Sequence, residues 1–193
     1  MLGCIAISFI TIGGLPFLTG ISQPLLKTYD PSISDLGYTP SGWMGDWNDI
    51  TFNDNPKDEP GAVEITYTPS RINGWAGMYW LFPSSNWGDL PGKDLSSFTV
   101  LTFKAKGARG GERVEFLVGG IDTGKTFKDS IQPARSITED LKNEWTDYSI
   151  PLKGLNLEGV IGGFGWIIDT RETAAQQEAG QTSTIYVEDR NYG

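Results

Sequence analysis

Hydrophobic residues recur at every second position over much of this chain, the spacing of strands that bury one face. In 63–68 (VEITYT), Val63, Ile65 and Tyr67 share a parity. In 98–106 (FTVLTFKAK), Thr99, Leu101, Phe103 and Ala105 alternate with Phe98, Val100, Thr102 and Lys104. Val114, Phe116 and Val118 share a face in 112–118 (ERVEFLV), and 145–152 (WTDYSIPL) alternates again. The run 160–169 (VIGGFGWIID) is apolar throughout and carries Gly162, Gly163 and Gly165, which suits a central strand that another backbone approaches closely. Shorter strands are predicted near 134–137 and at 184–189 (TIYVED). The turn 107–111 (GARGG) predicts a hairpin between the strands on either side.

The most aromatic segment is 74–89, GWAGMYWLFPSSNWGD. Trp75, Gly77, Tyr79 and Leu81 fall on one parity, and Ala76, Met78, Trp80 and Phe82 on the other. This is a strand buried on one face and covered, or used, on the other. Pro83 ends it, because proline has no N–H for the ladder. The loop that follows holds Trp87 near the surface. Eight or nine short strands without a βαβ rhythm predict an all-β, two-sheet antiparallel sandwich.

The N-terminal run 2–21 (LGCIAISFITIGGLPFLTGI) has no charge and is long enough to cross a bilayer. A retained transmembrane helix is expected here; an uncleaved signal segment is the competing reading, although nothing basic precedes the run. Residues 22–40, with Pro24, Pro31, Gly37 and Pro40, read as an extended tether, and the sandwich is expected over 41–193.

Composition removes several kinds of chemistry. Fifteen basic residues against 24 acidic give a net charge of −9, which argues against a nucleic-acid surface. There is no histidine, so histidine-based triads and the usual zinc sites are absent. The single cysteine, Cys4, excludes a disulfide within the chain. Nothing in the spacing of the carboxylates selects a catalytic pair, and the chain is expected not to be an enzyme. The segment 40–62 is rich in Asp and Asn and reads as a solvated loop or as oxygen ligands for a hard cation, without the spacing of an EF-hand.

Seven segments together carry a resemblance: PSGWMGD (40–46), GWAGMYW (74–80), NWGD (86–89), LTFKAKG with GGERVEFLVGG (101–120), EWTDYSIPLKG (144–154), IGGFGW (161–166) and IYVED (185–189). They resemble the galactose-binding-like jelly rolls, which often serve as carbohydrate-binding modules beside glycoside hydrolases. The resemblance implies a jelly-roll sandwich that takes a glycan on its loops or on one face. It also implies a structural Ca²⁺, with Asp189 in the last strand and Asp46 or Asp49 as partners in the first; Glu188 stands where a second aspartate often occurs.

Aromatics bind sugars by stacking on the apolar faces of pyranose rings, while polar neighbours fix the hydroxyls. Trp75, Tyr79, Trp80 and Trp87, with Asn86 and Asp89, are the candidates. Each could equally pack the core or dock a protein. Two functions are therefore open. One is an accessory subunit, anchored by 2–21 and docked on the integral subunits of a membrane complex such as a photosynthetic or respiratory assembly. The other is a module for a cell-surface or extracellular glycan. Both put the domain on the extracytoplasmic side, and the anchor favours the first.

Overall fold

Alternation produces sheets because each strand presents only one parity to a core. The computed structural model describes residues 31–70, 72–170 and 181–193, and in it ten strands form two five-stranded antiparallel sheets. The first sheet runs, in spatial order, β1 (Thr39–Gly45), β4 (Trp75–Leu81), β9 (Gly162–Asp169), β6 (Arg113–Val118) and β7 (Arg135–Asp140). The second runs β2 (Ile50–Asn53), β3 (Val63–Tyr67), β10 (Ser183–Tyr192), β5 (Val100–Gly107) and β8 (Thr146–Pro151). The expected all-β sandwich is what the chain forms.

Between the sheets lie the inward parities: Met78, Trp80, Val114, Phe116, Phe164 and Trp166 from the first, and Ile65, Tyr67, Leu101, Phe103, Ile185 and Val187 from the second. Aromatic rings join the layers. Phe103 meets Phe116 with centroids 4.7 Å apart and Phe164 at 5.2 Å, and within the first sheet Trp80 meets its cross-strand neighbour Phe164 at 5.3 Å. Such tilted contacts add to the burial of apolar area, each by about 0.5–1.5 kcal/mol.

Three expectations change. First, β5 and β6 are not a hairpin: β5 pairs with β10 and β8, whereas β6 pairs with β9 and β7. The GARGG turn crosses from one sheet to the other and is tied to the β7–β8 connection, where Gly107 N–H donates to Lys142 O and Gly111 N–H to Leu141 O. Second, the acidic stretch 40–62 contains most of β1, whose Pro40, Ser41 and glycines hide any alternation, and β2, whose alternation of Ile50 and Phe52 with Thr51 and Asn53 is only four residues long. Third, the tether does not extend to residue 40. From Pro31 onward the chain is part of the domain, with Ile33 and Tyr38 buried, Ile33 N–H donating to Arg190 O, and Tyr38 Oη donating to Val160 O at 2.8 Å.

The apolar run 2–21 lies outside the described residues. No helix among the described residues is long and apolar enough to cross a membrane.

Candidate glycan-binding face

The two outer faces of the sandwich differ in chemistry. The second sheet turns out a polar set that includes Thr66, Thr184, Glu64, Lys104 and Lys106. On the first sheet the outward parity is Gly77, Tyr79 and Leu81 in β4, Gly165 and Ile167 in β9, and Glu115 and Leu117 in β6. Part of this face is closed. Tyr79, Leu81, Leu117, Ile121 and Ile161 form a small second core beneath the loops 82–92 and 119–134. The Tyr79 ring lies across the glycines of β9: a Cβ on Gly162 or Gly165 would come within 2.9 or 2.7 Å of its Cδ1. Tyr79 Oη donates to Gly119 O at 2.8 Å, and Trp87 stands edge-on to the ring at 6.4 Å.

Beside this roofed part runs an open strip. Met44, Trp87 and Ile167 are only half-buried and pack against the closed cluster. Gly77 forms the floor between them, since a Cβ there would lie 3.0 Å from Met44 Cε and 3.1 Å from Ile167 Cγ1. Trp75, also half-buried, lies over Gly45, whose φ of +62 lets the strand turn away beneath the indole. The register sets these side chains in a row across the strands, from Met44 to Gly77, Ile167, Glu115 and Thr138. At the far end, Arg113, Glu115, Thr138, Ile167 and Asp169 line a recess of about 70 Å³, and Arg113 pairs with Asp140 at 3.3 Å. An apolar strip with hydroxyl, carboxylate and guanidinium groups along one side matches the two surfaces of a sugar. Two further tryptophans are exposed at the opposite edge of the sheet, Trp43 in β1 by 38% and Trp47 just after it by 52%.

The candidates from the sequence divide. Trp75 and Trp87 lie on this face and are accessible. Tyr79 is on the same face but roofed over. Trp80 points the other way, into the core against Phe164, Phe52 and the Arg190 guanidinium, and is out of reach of any ligand. Asn86 is buried and occupied: Nδ2 donates to Phe82 O and Leu90 O, and Oδ1 accepts from Gly88, Asp89 and Leu90 N–H. It shapes the loop that presents Trp87. Asp89 is exposed and paired with Lys125 at 2.7 Å.

The three aspartates implied as Ca²⁺ ligands are not gathered into a cage. Asp46 is buried and accepts from Asn73 N–H and Nδ2, Gly74 N–H and Tyr67 Oη. Burial pulls its pKa up, but these hydrogen bonds outweigh that and hold it below the usual carboxylate range. Asp49 caps Ser70 N–H. Asp189 is ion-paired with the Lys104 ammonium at 2.8 Å. Among the described residues no group of three or more His, Cys, Asp or Glu could hold a metal ion.

Comparison with known proteins adds the decisive observation. The model of the family described as carbohydrate binding domain 30 matches residues 39–190. The chain belongs to this family.

Similar solved structures include the family 30 carbohydrate-binding module of the cellulosomal cellulase Cel9D-Cel44B of Clostridium thermocellum. It is 14% identical, with a TM-score of 0.45 over 81% of this chain and 88% of that one. The family 11 module of Lic26A-Cel5E from the same organism is 12% identical, with a TM-score of 0.48 over 74% and 79%. A family 29 module from Piromyces equi is 16% identical, with a TM-score of 0.40 over 81% and 79%. No curated protein matches.

Membership overturns the accessory-subunit reading. A family of carbohydrate-binding domains points to glycan, and neither a membrane partner nor membrane association is shown. Sequence reasoning missed Met44, Arg113, Glu115, Thr138 and Ile167. They become neighbours only when β4 is paired with β1 and β9, and β6 with β9 and β7.

Proposed function

We propose that this chain is a non-catalytic glycan-binding domain whose site is the open strip on the first sheet, with Trp75 and Trp87 as its aromatic contacts. The observation that carries this reading is the strip itself: an apolar row of Trp75, Met44, Gly77 and Ile167 edged by Arg113, Glu115 and Thr138 on a rigid sheet. The row crosses five strands at about 4.8 Å each, a span suited to several consecutive sugars of a linear chain rather than to a single terminal residue. The apolar faces of the sugars would rest on the indoles and Met44, while Glu115 and Thr138 would take hydroxyls. Placement on the extracytoplasmic side, expected from the apolar run 2–21, suits a polymeric glycan.

Affinity electrophoresis through gels containing soluble plant and microbial polysaccharides tests the proposal. The protein should be retarded by at least one of them. Trp75→Ala and Trp87→Ala should each weaken that retention about tenfold or more, as loss of a central aromatic contact does. Retention on no polysaccharide, or retention unchanged in both variants, would refute it.

A further inference from the structure

A second groove lies on the opposite side of the sandwich. β10 pairs with β5 through Glu188 and Lys104 and resumes at Asn191 and Thr102, three steps on one strand against two on the other. This bulge turns Asp189 outward at φ +50 and Arg190 inward, where its guanidinium sits 5.3 Å over the Trp80 ring. Where the strands part there is a groove of about 420 Å³, lined by Thr102, Lys104, Asp147, Ser149, Asp189 and Asn191 among others. That volume falls within the usual range for small-ligand sites, roughly 300–1,000 Å³.

The polar groups are arranged in two rungs. Thr102 is the cross-strand partner of Ser149, and Lys104 that of Asp147. Lys104 Nζ is fixed between Asp189 at 2.8 Å and Glu188 at 3.5 Å. The groove thus offers hydroxyls and an amide, which donate and accept, beside acceptors on carboxylates and a donor on the ammonium. Glu188 and Asp189 hold the ammonium and Asp147 adds a third carboxylate, so even with the buried Arg190 guanidinium behind them the local charge is negative and disfavours phosphate, sulfate and uronate.

We infer that this groove is a second, independent binding site for a neutral, hydroxyl-rich sugar unit, so that one domain can hold two glycan chains on opposite faces. It has no open aromatic platform, and it binds more weakly than the first face. It does not depend on the strip of the first sheet.

The test is a titration of the ¹⁵N-labelled full chain with soluble cello-, xylo-, manno- and mixed-linkage β-glucan tetrasaccharides, with a galacturonic acid tetramer as the anionic comparison. At least one neutral sugar should shift the amides of Thr102, Lys104, Asp147 and Ser149. The same shifts should persist in a Trp75→Ala/Trp87→Ala double variant, and Lys104→Met, at an exposed side chain, should weaken them tenfold or more. The inference is overturned if no neutral sugar moves these amides. It is equally overturned if the shifts vanish with the two tryptophans, if Lys104→Met leaves them unchanged, or if the uronate binds as well. Failure of the first-face reading would show separately, as missing shifts in β4 and β9.

Discussion

Asp129 shows how one buried side chain holds the roof over the outer face of the first sheet. Its carboxylate accepts from Ile121 N–H at 2.8 Å, from Ile161 N–H and from Gly162 N–H, joining the 119–134 loop to the start of β9. Burial pushes its pKa up to about 6 from 3.8, against the downward pull of those hydrogen bonds. A carboxyl whose folded pKa is raised stabilises the fold fully below its unfolded pKa, and that contribution is lost as pH rises through the folded value. The stability of the wild type minus that of Asp129→Asn, which stays neutral, should therefore fall between pH 4 and 7. The full swing is at most about 3 kcal/mol, from roughly 1.4 kcal/mol per pKa unit. Urea midpoints at pH 4, 5, 6 and 7 would show it, and a difference independent of pH would contradict the assignment. At this same scale the parity of Trp75 and the loop position of Trp87 were legible in the sequence, whereas the burial of Trp80 and Asn86 was not. Period-two spacing separates the two parities of β4 without saying which one the other sheet covers. Asn86 was obscured for another reason: its partners are backbone groups of its own loop, which no side-chain pattern reveals.

At the level of elements, strands were legible and their partners were not. Alternation located β3 to β10 to within a few residues, because burial of one parity leaves a local trace. The hairpin expected from GARGG failed because a glycine turn fixes where a chain reverses and not which sheet receives it. The glycines of β9 had a readable purpose, and it can be tested. Gly162 and Gly165 make room for Tyr79, whose hydroxyl is held by Gly119 O and whose ring supports Trp87. Gly165→Ala would place a Cβ 2.7 Å from Tyr79 Cδ1, and the ring has little freedom to retreat. Overpacking of this kind costs about 1–3 kcal/mol, so the urea midpoint should drop and glycan retention should fall with it as Trp87 is displaced. Gly159→Ala is the control: its Cβ would meet nothing within 4 Å. Equal midpoints for the two variants would show that Tyr79 is not locked in place.

At the level of the molecule, the limits of the domain differ from the limits of the family match. The match begins at residue 39, where β1 starts, yet residues 31–38 contribute to the core. Ile33 and Tyr38 are fully buried, Tyr38 packs over Gly163, and its hydroxyl holds the carbonyl of Val160 just before β9. Tyr192 N–H donates to Pro31 O, which joins the two ends of the described chain. Burying two such side chains contributes roughly 1.5–3 kcal/mol each, and the hydroxyl bond about 0.5–1.5 kcal/mol more. Together these reach a large share of the roughly 5–15 kcal/mol that stabilises an ordinary domain. A fragment spanning 39–193 should therefore unfold at a much lower urea concentration than one spanning 31–193, with aromatic fluorescence reporting exposure of Trp80 and Trp166. Within the longer fragment, Tyr38→Phe should lose only about 0.5–1 kcal/mol, since the ring stays packed and the Val160 carbonyl keeps its bond from Lys93 N–H. Coincident midpoints for the two fragments would mean that residues 31–38 merely lie against a core that is complete without them. A large difference would make those residues part of the minimal glycan-binding unit, because β9, which they brace from inside, carries Ile167 and the glycines beneath Tyr79 on its other face.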